Sequence, residues 1–356
     1  MTEYLIEKVD LIEFARKHGR EWKGISGAIN LAEKYRVSIS QAFPPPPLFS
    51  SDIDLVVFGS LARNECTEGS DLDWTLLIDG QANSVHRASE LSVKQALEKI
   101  ELAKPGTTGV FGHMTFSHDL IHYIGGQEDT NHNITQRVLM LLESEKIAVG
   151  GIGAQGTAYD RVTRGIIQQY INDDSGFRSE RGKQLKVPRF LLNDIIRFWR
   201  TMCVDFAYKQ REQDGRKWAL RNLKLRMSRK LIYAKGLLMC FSCYQNENLK
   251  NLADIENHLF ACVQTRPLEF ILSILIRLKT PEELILQLMD AYDNFIVLLN
   301  SSKRDHLEKL PLDKVYTDPI FRQARDNSDK FKEAMNRIFI FEAPLLKEFT
   351  LKYGIF

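Results

Sequence analysis

The chain opens with a helical pattern of apolar positions. Between residues 6 and 37 apolar side chains recur at spacings of three and four, as at Ile25 and Ala28, which predicts a helical arm. Pro44–Pro47 follow. Because proline lacks a backbone N–H and restricts the residue before it, a helix cannot continue through this stretch. The pattern therefore predicts a boundary near residue 48.

Short apolar runs then replace the helical pattern. Ile53–Phe58, which ends in Gly59-Ser60, and Leu72–Ile78 both predict buried strands. A helical pattern covers residues 85–102, and a third strand is expected at about Gly109–Ser117, between glycines. This alternation of strands and a helix is the order of a small α/β unit.

From about residue 134 onward the pattern indicates helices almost throughout. The expected helices cover residues 190–206, 220–231, 252–263, 267–278, 281–301 and 320–349. The glycines of 151–156 match a dinucleotide-binding spacing, but no strand follows the next helix, so we interpret them as a hinge. The predicted fold class is α+β and mostly α, a small α/β domain with a short mixed sheet joined to a large C-terminal helical bundle. The expected domains are 1–48, 49–150 and 151–356.

Composition and charge narrow the classes of function. Of the 356 residues 44% are hydrophobic and 26% charged, which is typical of a folded protein and excludes wholesale disorder. The net charge is only +2, but residues 178–235 contain 17 Lys and Arg against 5 Asp and Glu, so that segment carries +12 and the remainder −10. A basic segment in an acidic chain suggests a face that handles phosphate.

The number of cysteines and the hydropathy of the chain indicate its expected cellular compartment. Five cysteines in this length do not make a secreted disulfide framework. Cys240 and Cys243 form a C-x-x-C without a second pair of zinc ligands, so we expect buried thiols. The N-terminus lacks signal-peptide features, and no apolar stretch reaches the roughly 18 residues of a membrane span. The expectation is a cytoplasmic protein without a membrane partner.

Candidate chemistry follows the first strand. A strand that ends in Gly59-Ser60 and turns into a helix presents unsatisfied N–H groups, which bind anions. About ten residues later Asp71 and Asp73 open the next strand, and residues two apart share one face. Paired carboxylates bind hard cations such as Mg²⁺ or Mn²⁺. A second copy, Asp52-x-Asp54, is interpreted as the solvated mouth of the first strand. A phosphate cradle beside a carboxylate pair is typical of nucleotide chemistry.

Gly59-Ser60 followed by Asp71-x-Asp73 resembles the nucleotidyltransferase superfamily of DNA polymerase β. Within it, the stretch is most similar to the nucleotidyltransferase domain of the bacterial uridylyltransferase that modifies the PII signal protein, and to related stand-alone domains. The likeness covers roughly residues 50–150. It implies catalysis and Mg²⁺ or Mn²⁺ binding by Asp71 and Asp73. The residues expected to bind the nucleoside triphosphate (NTP) or to support its site are Gly59, Ser60, Arg63 and Ser70.

One expected group is missing from the pattern. Members of the superfamily usually have a third carboxylate on the third strand, but the chain has no Asp or Glu between Pro105 and Ser117. Glu101 before this strand and Asp119 after it are the candidates. His118, with His122 four residues later, admits a metal-binding pair, and packing or capping is the alternative.

The basic segment offers further candidates for nucleotide binding. Arg221 and Lys224 lie at helical spacing on one face. One interpretation is a solvated basic face. Another places both side chains opposite Asp71 and Asp73, where they bind the triphosphate or an acidic acceptor. RNA binding is the third, although aromatic residues do not alternate with the basic ones as a stacking platform requires.

The sequence favours an Mg²⁺-dependent nucleotidyltransferase that moves a nucleoside monophosphate from an NTP to an acceptor hydroxyl and releases pyrophosphate. A protein side chain is the favoured acceptor, and RNA is the other. The type is uridylyl- or adenylyltransferase. Two alternatives stand beside it: a catalytically weak nucleotide-binding regulatory module, and a toxin–antitoxin-type transferase that acts on tRNA or a partner protein. The sequence carries no signal for the oligomeric state.

Overall fold

The computed structural model describes residues 9–43, 50–100, 110–147, 157–174, 187–244, 246 and 248–354. The strands in chain order are β1 (Ile53–Phe58), β2 (Trp74–Ile78), β3 (His113–Phe116) and β4 (Ser144–Ile147). The helices in chain order are α1 (Leu11–Lys17), α2 (Lys23–Gln41), α3 (Gly59–Ala62), α4 (Ser84–Leu97), α5 (Ser117–Ile121), α6 (Asn131–Leu142), α7 (Ala158–Asp173), α8 (Arg189–Glu212), α9 (Trp218–Lys224), α10 (Lys230–Phe241), α11 (Leu252–Gln264), α12 (Pro267–Arg277), α13 (Glu282–Leu299), α14 (Ser302–Lys309), α15 (Pro319–Asn336) and α16 (Pro344–Phe349).

The described residues form two compact units. The strand-bearing unit contains Ala28–Phe190 and Glu247–Arg266, and the helical unit contains Leu5–Gly27, Leu191–Asn246 and Pro267–Phe356. The fold class is as predicted, a small α/β nucleus with a mixed sheet together with a larger helical part. The division of the chain at residues 48 and 150 stays a prediction about domains.

The four strands form one mixed sheet in the order β3-β2-β1-β4. β1 pairs antiparallel with β2 and β4, and β2 pairs parallel with β3. The C-terminal end of β1 therefore lies at the same end of the sheet as the first residues of β2, β3 and β4. The residues at this end therefore come from segments next to several different strands.

The two faces of the sheet differ in character. One face is apolar and packs against α2 and α4; the core there includes Ile53, Leu55, Val57, Trp74, Leu76 and Ile78, with Ala32, Ile39 and Val93 from the helices. The opposite face is partly polar. There the hydroxyl oxygens of Thr75 and Thr115 lie 2.8 Å apart, and Gln136 of α6 donates to Thr115. The polar face is the one that Asp73 shares, because it lies two residues before Thr75.

The first Asp-x-Asp copy is not a solvated mouth. Asp54 is buried, and its carboxylate accepts a 2.7 Å hydrogen bond from the backbone N–H of Tyr159 in the first turn of α7. Such a carboxylate satisfies an orphan N–H at a helix start. The interpretation of Asp52-x-Asp54 as solvent-facing was wrong for Asp54, which holds a helix against the sheet.

Two other predictions about elements need correction. The N-terminal helical pattern is two helices, α1 and α2, because Gly19 and Trp22 between them adopt positive φ angles of 67° and 32°. The helical pattern predicted after residue 134 also misses β4. Three of the four residues of its sequence, Ser-Glu-Lys-Ile, are polar because it is an edge strand beside β1. Four residues are too few for a period of two to stand out.

The helical unit is built from packed helices and polar caps. Asp290 of α13 accepts a hydrogen bond of 2.7 Å from the indole N–H of Trp22, and Asp293 accepts one of 2.8 Å from the backbone of Ile25.

The helix predicted over 320–349 is interrupted at Ala343, where the backbone is extended before α16. Among the described residues, no helix combines the length and apolar character that crossing a membrane requires.

Candidate active site

Backbone hydrogen bonds bring three segments together at one end of the sheet. The N–H of Phe58, the last residue of β1, donates to the carbonyl of Asp73 at 2.9 Å. The N–H of Gly112 donates to the carbonyl of Trp74 at 2.8 Å. The turn after β1, the residues before β2 and the start of β3 are therefore neighbours, as the motif requires.

Gly59 allows a carboxylate to lie against this turn. Its φ is +67°, a left-handed conformation, and a Cβ atom built on it would lie 3.1 Å from Oδ2 of Asp73. A side chain here would add backbone strain and press on the carboxylate. The sequence therefore needs glycine at this position for two independent reasons, and the second of them is the closeness of Asp73.

The carboxylate pair is accessible. Asp71 is exposed and Asp73 partly exposed. In the described residues no group of three or more His, Cys, Asp or Glu side chains could hold a metal ion by itself. Mg²⁺ does not require such a cage, since it is held in nucleotide sites by one or two carboxylates plus substrate phosphates and water. The donor set of Asp71 and Asp73 fits that cation.

The expected helix after Gly59-Ser60 is only the four-residue α3. So short a helix adds little dipole, and anion binding would depend on its free N–H groups. Ser60 is partly exposed, and its side chain forms a hydrogen bond with the thiol of Cys66. The turn thus has a polar outer side and an apolar inner side.

Burial raises the pKa of the Cys66 thiol to about 11, against opposing effects of Ser60, Arg36 and Arg63. At about pH 8 such a thiol is roughly 0.1% thiolate, compared with roughly 10% for a pKa near 9. We expect iodoacetamide to modify Cys66 at least about 100-fold more slowly in the native than in the unfolded protein, as measured by peptide mass spectrometry. Equal rates in the two states would contradict this burial.

Arg63 lies in a buried ionic cluster. It is 6% exposed, its Nε donates to Glu65 at 2.8 Å, and its Nη1 donates to Glu143. Glu143 directly precedes β4, so the cluster ties the turn after α3 to the edge of the sheet. Of the two roles expected for Arg63, this geometry favours support of the turn; contact with the nucleotide stays a prediction.

Ser70 forms hydrogen bonds within its own loop. Its Oγ accepts a 2.9 Å hydrogen bond from the backbone N–H of Thr67, and its own N–H donates to the Thr67 carbonyl. These bonds close the loop that leads to Asp71. Ser70 therefore positions the first carboxylate, and nucleotide binding by Ser70 stays a prediction.

Arg36 of α2 is a site-supporting residue that sequence reasoning missed. Its Nη2 donates to the carbonyl of Leu61 at 2.9 Å and to Oδ1 of Asn64 at 2.6 Å, while its Nε donates to Glu145. Asn64 has a φ of 60°, so the bond stabilises a turn in the left-handed region. No local pattern signals a contact between residues this far apart in sequence.

The missing third carboxylate is not found on the described third strand. Glu101 lies outside the described residues. Asp119 lies in α5, after the C-terminal end of β3, whereas the candidate site lies at its N-terminal end. The rings of His118 and His122 lie 5.1 Å apart, and His118 is exposed. Neither histidine belongs to a three-residue metal group among the described residues.

Arg221 and Lys224 belong to the helical unit. Arg221 donates to the side chain of Gln213, and burial lowers its pKa while Glu212 and Glu308 oppose that shift. The charge of Lys224 helps to lower the pKa of Glu308, whose principal partner is Lys217. Part of this basic segment is therefore engaged with acidic groups of its own unit, and nucleotide binding by Arg221 and Lys224 stays a prediction.

Comparison with known proteins supports the superfamily-level resemblance. Residues 44–105 match the family model described as the nucleotidyltransferase domain. The matched segment contains Gly59, Ser60, Asp71 and Asp73, the residues that the sheet brings together. In the comparison with curated proteins no match was found. Residues 44–105 are therefore similar to a nucleotidyltransferase domain, and this likeness supports the transfer of a nucleoside monophosphate as the general chemistry.

Proposed function

We propose that the protein is an Mg²⁺- or Mn²⁺-dependent enzyme that transfers a nucleoside monophosphate from an NTP to a hydroxyl group of a protein side chain. The observation that carries the proposal is the position of Asp73 against the Gly59 turn, within the matched segment. Sheet pairing fixes that position, so the residues are held before any ligand arrives. Preorganised charge of this kind is the main contribution that a protein makes to phosphoryl transfer.

The chain's own residues divide the work of binding and orientation. The N–H groups of Gly59 and Ser60, at the start of α3, bind phosphate oxygens in this proposal, since the first N–H groups of a helix have no partner inside it. Asp71 and Asp73 hold the cation. When bound, the cation supplies neutralisation of the charge that develops on the phosphates. Arg36 stabilises the turn by donating to Leu61 and Asn64, and Arg63 stabilises it by donating to Glu65.

The acceptor is proposed to be a protein. This choice rests on the proposed resemblance of the motif to the domain that modifies the PII signal protein, and Tyr, Ser and Thr hydroxyls are the groups available on a protein. Uridylyl or adenylyl transfer is proposed on the same resemblance. Arg221 and Lys224 are proposed to bind the triphosphate or an acidic stretch of the acceptor.

One observation favours a second candidate, a nucleotide-binding regulatory module without turnover. The described third strand, His113–Phe116, contains no carboxylate. If no other group accepts the proton of the acceptor hydroxyl, the site would bind nucleotide and transfer it slowly or not at all.

A labelling experiment separates the two candidates. Purified protein is incubated with host lysate, Mg²⁺ or Mn²⁺ and each of the four α-labelled NTPs, beside the variant D71N/D73N. We expect label in a protein band from one preferred NTP, and none with the variant. Label in an RNA band would change the acceptor class. Nucleotide binding without label from any NTP would favour the regulatory module over the enzyme.

A further inference from the structure

A histidine lies on the same face and at the same end of the sheet as Asp73. Thr75 of β2 pairs with His113 of β3 in parallel register, so both side chains point to one face. Asp73 lies on that face too, two residues before Thr75. Strand spacing places the Cα atoms of Asp73 and His113 about 8 Å apart.

The hydrogen bonding of His113 defines which ring nitrogen is free to accept a proton. Its Nδ1 lies 3.3 Å from the carbonyl oxygen of Phe111. A carbonyl oxygen only accepts, so Nδ1 carries the hydrogen and donates it. Nε2 then has the lone pair, which makes the imidazole a base at this position.

The surroundings hold His113 in place and leave it accessible. Gln136 of α6 donates to the Val110 carbonyl and to Thr115, which fixes β3 on both sides of the histidine. His113 itself is partly exposed. An accessible imidazole on a fixed strand is suited to meet an incoming hydroxyl.

The titratable groups around His113 come from several elements. The His132 ring on α6 lies 6.1 Å away, and its pKa is lowered by burial and by the charge of His113, while Asp119 of α5 opposes the shift. Asp73 precedes β2 on the same face. His86 of α4 contacts Phe116 on the opposite face. His113 lies on β3, which pairs with β2 beside Asp73, whereas His132 lies on α6, so His113 is the histidine that strand register places next to Asp73.

We infer that His113 accepts the proton of the acceptor hydroxyl, the role for which the described β3 has no carboxylate. The inference rests on the proposed function. The acceptor oxygen forms a bond to the α-phosphorus, and the bond from that phosphorus to the oxygen bridging to the β-phosphate breaks. The electron pair leaves with pyrophosphate. The hydroxyl proton passes to Nε2 of His113 and from there to solvent.

The test compares His113→Asn with wild type. Asparagine can still donate to the Phe111 carbonyl but lacks the basic nitrogen. We expect transfer to fall by about 10²-fold or more, as general bases contribute about 10²–10⁴-fold, with the NTP dissociation constant changed less than about threefold. The acid limb of the rate between about pH 5 and pH 9 should disappear. NMR of wild type should show hydrogen on Nδ1 and none on Nε2.

Two further variants sharpen the result. His118→Asn, at an exposed position of α5 beyond the other end of β3, should keep activity and the acid limb. His113→Ala should regain part of its activity with added imidazole, which a purely structural role would not allow. An unchanged rate and acid limb in His113→Asn, while wild type transfers label, would overturn the inference alone. Absence of transfer in wild type would overturn the proposed function and this inference with it.

Discussion

Asp73→Asn is expected to reduce nucleotidyl transfer by about 10³-fold, because it removes a charged ligand worth several kcal/mol of transition-state stabilisation. Asp73 is the carboxylate that lies against Gly59, so its loss also removes the group for which the left-handed turn leaves room. Initial rates of transfer with saturating NTP and Mg²⁺ measure the effect. Asp71→Asn should act in the same direction.

Asp79→Asn is the matched control on the same strand. Asp79 follows β2 at the opposite end of the sheet, where Arg161 donates to its carboxylate at 2.6 Å. The substitution should leave the rate within about threefold of wild type, because Asp79 lies at the other end of β2 from Asp73 and a pair near the surface contributes only about 0–1 kcal/mol to stability. If Asp73→Asn and Asp79→Asn gave equal rates, the assignment of Asp73 to the site would be wrong.

Arg63→Met is expected to lower the free energy of unfolding by about 3–5 kcal/mol, the usual cost of breaking a buried ion pair by removing one partner. Methionine is of similar length but leaves Glu65 and Glu143 without the guanidinium that both contact. Both carboxylates are buried, so neither can recover full hydration in the folded state. Urea unfolding followed by circular dichroism measures the change.

Arg87→Met tests whether burial of the ion pair is the reason for the large loss of stability expected of Arg63→Met. Arg87 is exposed and donates to Glu90, which Lys94 also contacts. Because Lys94 still contacts the buried carboxylate of Glu90, removing the exposed cation of Arg87 should cost less than about 1 kcal/mol. A loss as large as that of Arg63→Met would mean that the cost does not come from the buried cluster.

Much of the sheet could be predicted from sequence because β1 and β2 are buried on both faces, are mostly apolar and end in turn residues. Ile53–Phe58 was predicted with the bounds that the structure shows, and β2 begins only two residues later than expected. β4 could not be predicted because an edge strand needs few apolar residues. The prediction of one helix over residues 6–37 overlooks the break between α1 and α2, although residues 16–21 contain no apolar side chain and include Gly19.

Only those residues of the candidate site that lie close together in sequence could be predicted. Gly59, Asp71 and Asp73 are close in sequence, so a single motif contains them. Arg36 and Glu143 support the same turn from distant helices and loops, and no spacing rule connects them with it. The role inferred for His113 depends on the register of β3 against β2, since a shift by one residue would turn its side chain to the opposite face.

The most direct test of the central claim compares α-labelled with γ-labelled NTP in the presence of Mg²⁺ and the acceptor found in lysate. Nucleotidyl transfer predicts label on the acceptor from the α-position only, with the γ-label recovered in pyrophosphate, and neither product with D71N/D73N. Label on the acceptor from the γ-position would show a kinase reaction and would contradict the account.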